Sequence, residues 1–241
     1  MIPFKDDNPT EITPYITVSF IALCGLVFFL QLSLPPRAGQ LFVYQYGAIP
    51  AVLFGIESLP REIAALPASF SLLTSMFLHG GWMHFLGNML YLWIFGNNIE
   101  DAMGHVRFII FYILCGIVAA YTHALTDPAS TIPMIGASGA ISGVLGAYLL
   151  LYPRASVMVL VPLGFFMYTM YWPAGFVLGL WFLMQLLSGG ASLGGGGGGV
   201  AWFAHVGGFV AGIILIGFFK RPSVRFFNPP HHHSSRFRSR R

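Results

Sequence analysis

The chain has 241 residues, of which 56% are hydrophobic and only 8% charged, and its formal net charge is +4. Soluble domains carry about 25% charged residues, so this composition excludes a water-soluble globular surface. The net positive charge comes from the C-terminal tail and argues for no nucleic-acid partner.

Residues 155–219 contain no Asp, Glu, Lys or Arg at all. That run is longer than two membrane spans of about 20 residues each. The expected fold class is an all-α polytopic membrane protein, with the lipid bilayer as its first partner.

Taken in chain order, residues 1–14 carry Lys5, Asp6, Asp7 and Glu11. They lack the basic-then-apolar pattern of a cleavable signal peptide and read as an N-terminal tail. Six apolar segments follow, at about 15–34, 82–99, 108–125, 138–152, 165–187 and 200–219, making one domain over 15–221. Pro35-Pro36, Asn97-Asn98, Asp127-Pro128, Pro153-Arg154 and the glycine run 194–199 punctuate them.

The connection 35–81 is long and partly apolar, which predicts a loop lying in the outer membrane interface. The tail, 222–241, is basic and rich in Ser, Pro and His, and is expected to be disordered against anionic lipid. Its His231-His232-His233 read as part of that solvated tail. Cys24 and Cys115 lie in apolar segments and read as small buried hydrophobes.

An even number of spans puts both termini on one side. If that side is cytoplasmic, it holds ten of the twelve Lys and Arg, and the other side holds only Arg37 and Arg61. This agrees with the positive-inside rule.

Two polar side chains stand out against the apolar background: Ser138 in Gly136-Ala137-Ser138-Gly139 and His205 in Ala204-His205. Hydrocarbon penalises such groups unless neighbours satisfy them or a function needs them. Histidine can take the proton a serine must lose to become a nucleophile. The fourth segment is short, about 22 Å at 1.5 Å per residue, so Ser138 should begin below the outer surface. His205 lies a turn and a half into the last segment and arrives at similar depth.

Glycines at 139, 143, 146, 208 and 212 form small-x-x-x-small patterns that let helices approach closely. His84 and Asn88, an i, i+4 pair near His79 on the second segment, are neutral donors suited to an oxyanion. Interhelical hydrogen bonding is the bland reading of that cluster, and a zinc site is disfavoured because no His-Glu-x-x-His occurs. A histidine relay in a transporter or proton channel lacks a membrane carboxylate to work with.

These motifs, in order and on the right segments, resemble the rhomboid intramembrane serine proteases of the six-helix bacterial type. The resemblance rests on Gly136-Ala137-Ser138-Gly139, Ala204-His205, His79…His84-x-x-x-Asn88 and Glu100-Asp101-x-x-Gly104, and covers about residues 15–219. It implies a six-transmembrane-helix bundle with a long interfacial first loop. Ser138 would be the nucleophile and His205 the base. His84, Asn88 and the backbone N–H groups of Ala137 and Ser138 would form the oxyanion hole. Gly136, Gly139 and His79 would support them, with no metal or cofactor.

The implied substrates are transmembrane segments of other proteins, cut near the outer face, and the implied location is a bacterial inner membrane with both termini cytoplasmic. Family members favour a small residue before the cut, and the loop 188–199 would be a mobile cap. An inactive, helix-binding relative is the alternative. The chain departs from the family at Phe70-Ser71, where Trp-Arg is frequent. It departs again at Ser142, where a tyrosine often stacks on the catalytic histidine, so another aromatic has to support His205.

Overall fold

The computed structural model describes residues 2–64, 66–163, 166–192 and 201–228. The described residues form helices α1 (Tyr15–Ser33), α2 (Pro36–Tyr46), α3 (Pro50–Leu53), α4 (Ala68–Thr74), α5 (Trp82–Met103), α6 (His105–Ala124), α7 (Ser138–Leu151), α8 (Ala174–Ala191) and α9 (Trp202–Phe219). Strands β1 (Ile2–Asp6), β2 (Ser156–Leu163) and β3 (Phe166–Pro173) make a small antiparallel sheet in the order β1-β2-β3.

Among the described residues, α1, α6, α8 and α9 are long and apolar enough to cross a membrane. With α5 and the 14-residue α7 they make up the six-helix bundle. Helix α7 is the axis of that bundle, packed by α5, α6 and α9, and it is buried without a break from Gly139 to Tyr148. Its apolarity on every side is what a helix enclosed by other helices requires.

Glycines set how closely the axis is approached. A Cβ at Gly208 would run into the carbonyl of Gly139, and one at Gly212 into the carbonyl of Gly143. Across the other face, Gly143 lies on Cys115 of α6. The small-residue pattern in the sequence thus brings backbone onto backbone along the α7–α9 seam.

One buried carboxylate fixes the start of α1. Glu100 accepts hydrogen bonds from the N–H groups of Ile16 (2.9 Å) and Thr17 (2.8 Å) and from Thr17 Oγ1 (2.7 Å). The first N–H groups of a helix have no intrahelical acceptor, and an anion at that end is favoured by the helix dipole.

The sheet is a departure from the sequence reading. The fifth apolar segment, expected as one span from 165 to 187, divides into β3 and α8 at Pro173–Ala174. Val157 and Val159 of β2 are fully buried, whereas β3, the part read as span, is exposed over residues 166–171 yet almost wholly apolar, and hydropathy cannot tell such a run from a helix. The β-branched and aromatic residues of the two strands favour the pleated form. Proline cannot donate to a ladder, but it suits the position just before a helix.

The tail also differs from expectation over 222–228. Arg221 donates from its backbone to the Ala102 carbonyl (2.8 Å) and from Nη2 to Asp101 Oδ1 (2.9 Å). Phe227 and Asn228 donate to the carbonyls of Leu150 (3.0 Å) and Leu151 (2.8 Å). The last carbonyls of α7 lack helical donors, and the tail supplies them. Glu11 N–H reaches Asp101 Oδ2 (3.0 Å) from the N-terminal side, so the segment before α1 and the residue that follows α9 by two meet at the last turn of α5. The glycine run 194–199, most of the 188–199 loop, and the remaining tail with its three histidines lie outside the described residues.

The first connection is built of α2, α3, α4 and a 3-10 turn at Ser75–Phe77. It is pinned by Thr74 Oγ1 on the Tyr46 carbonyl (2.7 Å), and by Ala48, which exchanges backbone hydrogen bonds with Met134 (3.0 and 2.8 Å). Gln31 of α1 holds its far end through both backbone groups of His79 (3.0 and 3.3 Å). At the Phe70-Ser71 departure, Phe70 is exposed while buried Ser71 bonds the Ala68 carbonyl (2.6 Å).

Candidate active site

Ser138 is the first residue of α7 and His205 lies one turn inside α9. The glycine seam brings these two helix ends together, and His205 Nε2 is 2.9 Å from Ser138 Oγ. Both side chains are half-buried and line one cavity together with His84 and Asn88. The α7 start is also anchored by Ser142, whose hydroxyl donates to the Ser138 carbonyl at 2.6 Å.

The imidazole of His205 is held on its other nitrogen. Nδ1 lies 2.7 Å from Oε1 of Gln185, a buried residue of α8. Gln185 Nε2 donates in turn to the Trp181 carbonyl at 3.3 Å. Sequence reasoning missed this residue. The signal was present: Gln185 is the lone amide in the apolar stretch that became α8, where an unsatisfied amide is costly.

Two indoles replace the tyrosine that Ser142 does not provide. The ring centroids of Trp181 and His205 are 5.9 Å apart at 37°, and those of Trp202 and His205 are 6.2 Å apart at 90°. Ser142 itself is fully buried beside Gly208 on the α7–α9 seam.

On the opposite side of Ser138, the backbone N–H of Gly80 points to Nδ1 of His84 (3.3 Å). That makes Nδ1 the acceptor and leaves the proton on Nε2. Gly136 has φ of +123°, and a Cβ there would lie 2.5 Å from His84 Nε2 and 3.7 Å from Ser138 Oγ. The absence of that methyl leaves a gap between a ring N–H and the serine hydroxyl. The Gly136 N–H is tied to the Ser75 carbonyl at 2.8 Å, which fixes the loop entering α7.

Asn88 lies one turn beyond His84 on α5. It is buried, and its Nδ2 has no hydrogen-bond partner among the described residues. A buried amide donor without an acceptor is costly, and Asn88 is among the residues that line the cavity with Ser138. Ala137 and Ser138 open α7, where the first N–H groups have no helical acceptor. Together these groups can receive a negative oxygen next to the serine.

The remaining expected residues fall around this centre. Gly139 packs on Ala119 of α6 and faces Ala204. His79 is buried edge-on against His84 and Phe85, with centroids 5.2 and 5.4 Å apart. It braces the His84 ring and does not reach the serine–histidine pair through any hydrogen bond. His105 lies at the far end of the bundle, bonded to Glu100 at 2.6 Å.

Comparison with known proteins gives the family of the chain. Residues 68–222 match the Rhomboid domain family. The chain is 34% identical to the rhomboid protease GluP of Bacillus subtilis over 146 residues, which is 61% of this chain and 25% of that protein. It is 30% identical to the putative rhomboid protease YdcA of the same organism over 140 residues, covering 58% of this chain and 64% of that one. Similarity to RHOMBOID-like protein 1 of Arabidopsis thaliana extends over 242 aligned residues at 30% identity, 94% of this chain and 57% of the relative. The chain spans less than two thirds of the length of each of these proteins. A match over more than half the chain, joined to a six-helix bundle with four helices fit to cross a membrane, leads to one conclusion: this integral membrane protein belongs to the rhomboid family.

Proposed function

We propose that the chain is an intramembrane serine endopeptidase that cleaves transmembrane segments of other membrane proteins. The observation carrying this reading is the 2.9 Å contact between Ser138 Oγ and His205 Nε2 inside a cavity that also presents His84 and Asn88.

In the proposed reaction His205 Nε2 accepts the Ser138 proton as Oγ attacks a peptide carbonyl of an unwound substrate segment. The carbonyl oxygen becomes an oxyanion and is received by His84 Nε2–H, Asn88 Nδ2–H and the first N–H groups of α7. Collapse of the tetrahedral intermediate breaks the C–N bond, and the leaving amine takes the proton back from His205. Water then enters, gives its proton to His205 and attacks the acyl-serine ester. Collapse of that second intermediate releases the new carboxyl end and returns the proton to Ser138.

The same reading places both termini in the cytoplasm of a bacterial cell, on the ten-to-two distribution of Lys and Arg. The cavity then opens to the outer face, which gives water its route.

The test is cleavage of a reconstituted single-span substrate with a small residue before a helix-breaking stretch. Wild type is expected to cut it, and Ser138→Ala and His205→Ala, folded and membrane-inserted, are expected not to. A folded wild type that binds such helices without cutting any would favour a helix-binding protein instead.

A further inference from the structure

We infer that Gln185 is a positioning residue, the neutral third member of the Ser138–His205 pair, selecting the tautomer and orientation of the imidazole. The inference rests on the serine-protease reading above and adds a residue that the dyad alone does not contain.

The argument starts from the amide's two ends. Gln185 offers one acceptor, Oε1, and a donor group, Nε2. Nε2 lies 3.3 Å from the Trp181 carbonyl, one turn back on the same helix, which can only accept. A flipped amide would set two acceptors against each other there. Oε1 therefore faces His205, and the 2.7 Å contact makes Nδ1 the protonated nitrogen. The lone pair is left on Nε2, 2.9 Å from the serine hydroxyl it must deprotonate.

The geometry is more than a chance polar contact. Gln185 is only 5% exposed, and its partners are the catalytic imidazole and the backbone carbonyl that orients it. Trp181 supplies both that carbonyl and a ring beside His205, so one turn of α8 fixes the imidazole from an edge and a face. An aspartate would do the same work in water. Inside a bilayer an ionised carboxylate carries a heavy desolvation cost, whereas an amide orients the ring at lower cost. The amide stabilises the imidazolium less, because it brings no full charge.

The experiment measures second-order labelling by a fluorophosphonate across pH for wild type, Gln185→Met and Gln185→Glu in detergent, with thermal melting of each. Removing the aspartate of a soluble triad costs about 10⁴-fold. For a neutral partner the expected loss in Gln185→Met is about 10–100-fold, with melting retained. Gln185→Glu is expected to recover much of the rate and move the acid limb to higher pH, because a carboxylate at Nδ1 favours the protonated ring.

Wild-type labelling in Gln185→Met overturns the inference. So does a slow Gln185→Met accompanied by an equally slow Gln185→Glu with an unmoved acid limb, which marks a packing role. A wild type that does not label at Ser138 at any pH fails the serine-protease reading itself, and that outcome is distinct from either of the others.

Discussion

Gly208 of α9 rests directly on the backbone carbonyl of Gly139 in α7, immediately after Ser138. This contact puts His205, three residues earlier on α9, within hydrogen-bond distance of the serine. A methyl at Gly208 meets backbone, which cannot yield as a side-chain tip would. Gly208→Ala is therefore expected to spread the seam, with a cost of about 1–3 kcal/mol, typical of overpacking. Its signature is lost fluorophosphonate labelling at temperatures where the protein is still folded by circular dichroism.

Gly136 tests the other wall of the site. Its φ of +123° disfavours a side chain, and a Cβ there would meet the His84 ring. Gly136→Ala is expected to displace His84 and lower turnover by about 10²-fold or more, by analogy with loss of an oxyanion donor. Turnover at the wild-type level would remove His84 from the oxyanion hole.

Asn88→Ala should lower turnover without abolishing it, since His84 and the α7 N–H groups still face the same oxygen. The expected loss is at the lower end of the roughly 10²–10³-fold range for one oxyanion donor. Because Asn88 Nδ2 has no partner among the described residues, truncation should cost little stability, and thermal melting checks that. Complete inactivity of the folded variant would contradict shared stabilisation.

The N-terminal strand carries a pH dependence. Burial pushes the Asp6 carboxyl up to about 6 from its ordinary 3.8, against the opposing hydrogen bond from Tyr148 Oη at 2.7 Å. The folded form then binds the proton more tightly than the unfolded one. The resulting stabilisation is full below about pH 3.8 and is lost as pH rises through about 6. Protection of β1 amides against hydrogen exchange, corrected for intrinsic rates, should be greater at pH 5 than at pH 8. Asp6→Asn should flatten the difference, since an amide oxygen still accepts from Tyr148.

Much of this was legible in the sequence, for reasons that can be named. Ser138 and His205 stood out because polar groups in lipid need a cause, and the glycines at 139, 143, 208 and 212 marked the seam that joins them. The sheet was not legible. Residues 166–172 of β3 are apolar but for Thr169 and run straight into the apolar α8, so β3 reads as the start of a span, and Pro173 was the local sign that a helix starts there. Gln185 was visible as a lone amide in an apolar stretch. Its importance depends on α8 lying beside α9, a tertiary fact with no trace in local pattern. The ordering of 222–228 likewise depends on carbonyls at the end of α7 that the tail's own composition does not reveal.

The most direct measurement is intact-mass analysis of the purified protein after exposure to a fluorophosphonate, comparing wild type with Ser138→Ala and His205→Ala. The expected result is a single adduct on wild type, mapped to Ser138, and no adduct on either folded variant. An unlabelled, well-folded wild type, or equal labelling of His205→Ala, would contradict an activated serine at the start of α7.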